Sequence, residues 1–258
     1  MAAHRDHDRG DLRVLRVGLR PLHAPGSPGL TPADGSGPPK PVCGPGCACA
    51  VGNEFGAASA ARDLRTYRRN GPDRTTRWLI EGLRGGPRGP VEGLTVLDIG
   101  AGIGAVHLEL LKAGSAQALD VDGSPAYVAV AREEAARQGV GDRVTYETGD
   151  FVELAASIEP ADLVALDRVV CCYPDMRALV ALSSARARRR IGLVYPRDAR
   201  WIRAGTGVMN VFFRITRQRL RFWVHRTADV EAVIADAGLR LASRRNGIFW
   251  QVVVFERA

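Results

Sequence analysis

Val96-Leu97-Asp98-Ile99-Gly100-Ala101-Gly102-Ile103-Gly104 is an apolar strand running into a glycine-rich turn and then a helix. Glycine backbones at such a turn let a ligand approach the chain more closely than any side chain would allow. Beyond Gly93, short apolar runs alternate with amphipathic ones, the pattern of β-α-β units and a mostly parallel sheet. The pattern predicts strands at 95–99, 117–121, 143–148, 162–166 and 191–195, with helices at 104–113, 125–138, 151–157 and 175–189 between them. A helix over 228–237 ends at Gly238, and two extended runs, 239–243 and 249–256, flank Arg245, Asn246 and Gly247 as a terminal hairpin.

The glycines, with Ala105 as a third small residue, fit a dinucleotide-binding turn, and a nicotinamide- or flavin-dependent oxidoreductase is the alternative reading. Asp98 argues against it. Its carboxylate, two residues before the first glycine, would repel a pyrophosphate but could hold a ligand with cationic groups, as S-adenosylmethionine has in its ammonium and sulfonium. Asp122 follows Asp98 by 24 residues at the next strand end, where an acid can accept both ribose hydroxyls, with Asp120 as the fallback. At the third strand end, in Thr148-Gly149-Asp150-Phe151, Asp150 can accept the adenine amino proton and Phe151 can stack on the ring. Any one of these acids could instead bond to loop amides or cap a helix. Three at successive strand ends point to one ligand edge.

The combination resembles the class I S-adenosylmethionine-dependent methyltransferases over about residues 60 to 258. The resemblance implies a Rossmann-like α/β sheet of seven strands whose last strand is antiparallel, in keeping with the terminal hairpin. It implies that S-adenosyl-L-methionine is held by Asp98, Gly100, Gly102, Gly104, Asp122, Asp150, Phe151 and, after the fourth strand, Asp167. The segment Leu166 to Asp175 lies where this family places residues between cofactor and substrate, and Tyr173 within it is a candidate to orient the acceptor. It lacks the Asn/Asp-Pro-Pro-aromatic sequence of amino-group methyltransferases acting on DNA or protein glutamine, so base methylation is not expected. The core also resembles magnesium-protoporphyrin O-methyltransferases, too diffusely to carry a substrate over.

The 258 residues suit a single core. Pro and Gly fill 14 of the 26 positions from Pro21 to Gly46, which predicts a flexible tail over 1–50. A helical cap over 51–93 and a catalytic core over 94–258 follow, the core carrying an insertion at about 197–226. Tyr67, Arg68 and Arg77 are candidate cap contacts to the ligand. The insertion is aromatic and basic, with Trp201, Asn210, Phe212, Phe213, Phe222 and Trp223 as possible walls of an acceptor pocket. Its His225, with an ordinary pKa of about 6.5, is the candidate general base. Packing Phe212, Phe213 and Leu220 inward is the plainer use of those side chains.

Net charge is +8, yet 12 Arg face the single acid Asp198 between Ser184 and Arg226, so the remainder is slightly acidic. Such a stripe could serve an RNA methyltransferase, the rival reading, while Arg186, Arg188, Arg189 and Arg190 also suit a solvated helix end. The expected partner is a small-molecule acceptor methylated on oxygen or nitrogen, not a nucleic acid. Cys43, Cys47 and Cys49 lack zinc-ribbon spacing and have no His at ligand spacing beside them, so no metal is expected. The alternative is that they fold back to Cys171 and Cys172 at the active edge and bind a metal or a thiophilic metalloid substrate. No apolar run reaches the ~18 residues of a membrane span. Met1 to Arg20 lacks the apolar core of a secretory signal, and a cytoplasmic location is expected.

Overall fold

The structure, a computed structural model, describes residues 55–86, 89–217 and 220–257. The tail over 1–50 and Cys43, Cys47 and Cys49 lie outside the described residues.

Seven strands form one sheet: β1 (Thr95–Ile99), β2 (Gln117–Asp122), β3 (Val144–Thr148), β4 (Ala161–Asp167), β5 (Ala187–Pro196), β6 (Leu239–Asn246) and β7 (Trp250–Arg257). Their order across the sheet is β3-β2-β1-β4-β5-β7-β6. β1 to β5 pair in parallel, whereas β7 lies antiparallel to both β5 and β6. The chain leaves β1 in one direction for β2 and β3 and later returns beside it as β4. That reversal opens a crevice beyond the carboxyl ends of β1 and β4, where open α/β sheets bind ligands.

Alternate side chains of the strands feed two cores. On one face α1 (Ala57–Asn70), α2 (Arg74–Leu83), α3 (Ala105–Lys112) and α4 (Pro125–Arg137) cover Val96, Ala118, Leu163, Val194 and Val252. On the other, α5 (Phe151–Leu154), α6 (Met176–Ala185) and α8 (Thr227–Asp236) cover Leu97, Val121, Leu166, Ile191 and Phe255. α2 lies close on the sheet because Gly192 of β5 has no Cβ, which would stand 2.4 Å from Leu79 Cδ1.

Two sequence expectations are corrected. The fourth core helix stops at Ala185 and β5 begins at Ala187, so Arg188, Arg189 and Arg190 belong to a strand and not to a solvated helix end. Arg189 reaches Asp162, Arg190 donates to Glu256 and to the Leu83 carbonyl, and Arg186 donates twice to the Ala155 carbonyl. Phe212, read as packed inward, points outward from α7 (Arg200–Ile215), the helix that fills the insertion after β5.

Candidate active site

β1 ends in Gly100, Gly102 and Gly104, all with positive φ (62°, 58° and 81°). Two of them are fixed by space as well: a Cβ on Gly100 would stand 2.5 Å from Val169, and one on Gly104 2.5 Å from the His107 ring. The turn is thus wrapped tightly against the loop after β4 and the first turn of α3.

Asp122, the last residue of β2, closes this turn. Its Oδ2 accepts the Gly102 amide at 2.8 Å and its Oδ1 accepts the Ser124 amide at 2.7 Å. Burial pushes its carboxyl up, against the pull of those two donors. Each carboxylate oxygen can accept a second bond, so the group can still take two hydroxyls. Ser124 in turn caps α4 through Tyr127 and donates to the Phe55 carbonyl, while the Tyr127 hydroxyl donates to Asp63. The start of α1 therefore lies beside the Asp122 turn, a contact that nothing in the sequence spacing announces.

Asp98 is fully enclosed. Its Oδ2 accepts the His107 backbone amide at 3.2 Å and lies 3.0 Å from His107 Nδ1, while Oδ1 has no partner among the described residues. By sequence Asp98 is a candidate for the ligand's cations, and in the structure it meets His107. The two are in fact one buried pair that fixes the entry to α3. Asp120 is buried with neither oxygen partnered among the described residues. Burial, then the charges of Asp98 and Asp122, push its carboxyl well up.

At the third strand end Asp150 caps α5 through the Val152 amide at 2.9 Å and accepts the Tyr173 hydroxyl at 3.0 Å on each oxygen. Tyr173 is buried in the core beside Asp150. Phe151 is buried in the core on the α5 and α6 side of the sheet.

Asp167, ending β4, accepts Thr76 Oγ1 at 2.6 Å and Arg168 Nε at 3.0 Å. Arg168, held at φ 64°, also reaches Asp73, which caps α2 through Thr75 and Thr76. This network anchors the start of α2 at the sheet edge. Tyr67 and Arg68, by contrast, do not face the crevice: Tyr67 donates to Glu109 of α3 and Arg68 to Glu133 and Glu134 of α4, while Arg77 is exposed.

The return from α7 lies against the loop after β4. Trp223 donates its amide to the Cys171 carbonyl at 2.8 Å, and His225 Nε2 lies 3.1 Å from the Val170 carbonyl. A carbonyl can only accept, so Nε2 carries the proton and Nδ1 is the basic nitrogen. Burial lowers the pKa of this half-buried ring, keeping it neutral at neutral pH. Cys171 and Cys172 place their sulfurs 3.5 Å apart, and Cys171 Sγ donates to the Arg168 carbonyl. Among the described residues no group of three or more His, Cys, Asp or Glu gathers at metal-binding distance.

A seven-stranded sheet with an antiparallel seventh strand, a glycine turn after β1 and an acid ending β2 make up the class I methyltransferase fold. The methyltransferase-domain family profile matches residues 96–189 of this chain. Similar curated proteins include the ribosomal protein L11 methyltransferase of Alteromonas mediterranea, 33% identical over 103 residues, or 38% of this chain and 35% of that one. That of Yersinia pseudotuberculosis is 27% identical over 133 residues, 49% of this chain and 45% of that one. The chain spans less than half the length of the curated relatives it matches. Among solved structures, magnesium protoporphyrin IX methyltransferase from Synechocystis PCC 6803 superposes with a TM-score of 0.65 at 20% identity, covering 81% of this chain and 99% of that one. Geranyl diphosphate methyltransferase gives 0.55 at 16% identity, over 71% and 76% of the two chains. These likenesses extend the shared fold beyond the matched domain.

Proposed function

We propose that this chain binds S-adenosylmethionine against Gly100, Gly102, Gly104 and Asp122 and catalyses transfer of its methyl group to a small-molecule acceptor, on oxygen or nitrogen. The observation that carries the reading is Asp122: a carboxylate tied by one oxygen to the glycine turn and by the other to the start of α4, with acceptor capacity left for two ribose hydroxyls. When bound, the cofactor supplies a methyl group on a cationic sulfur. The turn fits it, since Gly100, Gly102 and Gly104 carry no side chain to hold a ligand off the backbone.

The chain's own part is placement. Alignment of an acceptor lone pair with the methyl group is worth ~7 to 11 kcal/mol of barrier without an acid or base. Asp150 and Tyr173 hold the third strand end in shape, and the Asp167–Arg168–Asp73 network holds the start of α2 at the end of β4. His225 Nδ1 takes the acceptor's proton if the acceptor carries one. The solved neighbours named for a porphyrin and for geranyl diphosphate support a small-molecule acceptor. The L11 relatives favour a protein acceptor, but they match less than half of this chain. An oxidoreductase reading is set aside by the strand order, which differs from the 3-2-1-4-5-6 dinucleotide sheet in its antiparallel seventh strand.

Isothermal titration tests the cofactor: S-adenosylmethionine or its demethylated product should bind, and Asp122→Ala should weaken binding by about 10- to 100-fold, the worth of charge-assisted hydrogen bonds. Binding of NAD with no response to either compound would refute it. Product formation across a panel of hydroxyl and amine acceptors, with L11 protein as the competing substrate, tests the acceptor.

A further inference from the structure

The methyl-transfer reading leaves the outer face of α7 unexplained. Five of the eight exposed large apolar side chains among the described residues lie on this one helix: Trp201, Val208, Val211, Phe212 and Ile215, each 57–74% exposed. At 100° per residue they share an arc of about 100°, opposite the buried Ile202 and Thr206. Arg200, Arg203 and Arg214 occupy the adjoining arc of about 60°. All three are exposed, and none pairs with a carboxylate among the described residues. From Arg200 to Arg226 the sequence has seven arginines and no acid. The helix is held in place from below: Asn210 exchanges two hydrogen bonds with the Phe222 backbone, at 2.7 and 2.9 Å.

We propose that α7 docks this protein onto an anionic lipid membrane surface, lying in the interface plane with Trp201, Val208, Phe212 and Ile215 inserted and the arginines on headgroup phosphates. A cationic flank beside an apolar arc with a Trp at its end is the composition that interfacial helices use. Charge complementarity selects this occupant over the others. A second copy would set the two arginine flanks against each other. Residues 1–54 of this chain carry six cations and five acids and offer no negative partner. RNA would match the arginines but leave the apolar arc in water. The proposal does not depend on the methyl-transfer reading.

Co-sedimentation of the full chain with sucrose-loaded vesicles tests it. Retention is expected on equal parts phosphatidylglycerol and phosphatidylcholine, and little on phosphatidylcholine alone. Arg203→Gln and Arg214→Gln should each weaken binding about fivefold. Trp201→Ser with Phe212→Ser and Ile215→Ser should abolish it, with an unchanged unfolding midpoint because these side chains are exposed. Should that triple variant fail to fold, brominated lipid must still quench the emission of the unmodified chain more than that of Trp201→Phe. The proposal is overturned if the chain ignores anionic vesicles, if the triple variant binds as well as the parent, or if vesicle binding is absent while the triple variant dissolves a dimer or RNA alone is retained.

Discussion

Asp120 has its strand neighbours fixed by register: Asp98 on β1 and Tyr146 on β3 stand directly beside it, and α4 lies above. Arg132, the cation that acts on it, stacks on the Tyr146 ring and is too weak to offset burial and two nearby carboxylates. The fold therefore favours the protonated form. A carboxyl whose folded pKa is raised contributes its full stability below the unfolded value of about 3.9 and loses it as pH rises. Asp120→Asn removes that loss. Urea unfolding at several pH values should show the variant gaining on the parent from about pH 4 upward, by at most about 1.4 kcal/mol per pH unit. A constant difference between the two would mean Asp120 is ionised at neutral pH. At this scale the sequence was informative where position alone decides: an acid at the end of β2 must meet the glycine turn, because β1 and β2 pair in parallel. It was uninformative about Phe151 and Tyr173, since whether a ring after a strand end stacks on a ligand or fills the core depends on how the following helix tilts.

Among the elements, α2 and α4 show how helices outside the glycine turn are locked. Gly192 admits Leu79 and Leu83 onto β5, so Gly192→Ala should cost about 1 to 3 kcal/mol through overpacking, read as a lower urea midpoint at unchanged slope. α4 is tied to α1 through Glu134, whose buried carboxylate accepts from Arg137, Gln138 and Arg68. These donors, Arg137 first, hold its pKa down at about 2. A lowered carboxylate contributes above its unfolded value of about 4.3 and loses that contribution as pH falls toward the folded one. Glu134→Gln should consequently melt below the parent at neutral pH, and the two curves should converge as pH falls from about 4.3 to 2. Convergence at higher pH instead would remove Glu134 as the anchor. The helices of the core were legible from their periodicity, and Glu134 with Arg137 stood at readable i, i+3 spacing. The start of β5 was not: Ala187 to Arg190 has the composition of a helix end, and only pairing with Ala161 and Glu256 makes it a strand.

On the scale of the molecule, the strand order places β1, β4 and β5 at the centre with helices on both faces, whereas β6 has a neighbour only in β7. The alternating runs revealed this parallel centre because strands buried on both faces must be apolar at nearly every position. They also revealed the closing hairpin, but not which strand it joins, since no sequence spacing states that β7 enters between β5 and β6. The edge explains the composition of β6: after Leu239 its residues are exposed, three of them are arginine, and a register shift falls between Leu241 and Ser243. Charge and a bulge blunt such an edge against pairing with another chain. They also leave its hydrogen bonds open to water, held at the side by Arg244 on Glu231 and Arg245 on Glu81. Native-state hydrogen exchange should accordingly separate two populations. Amides of Val164, Leu166, Ile191 and Leu193, buried in the core, should exchange only through global unfolding and slow in step with added stability. Amides of β6 beyond the bulge should exchange by local opening, and Arg245→Ala should quicken them while leaving β4 and β5 unchanged. Equal protection across β6 and β4 would show that the hairpin opens only with the whole sheet.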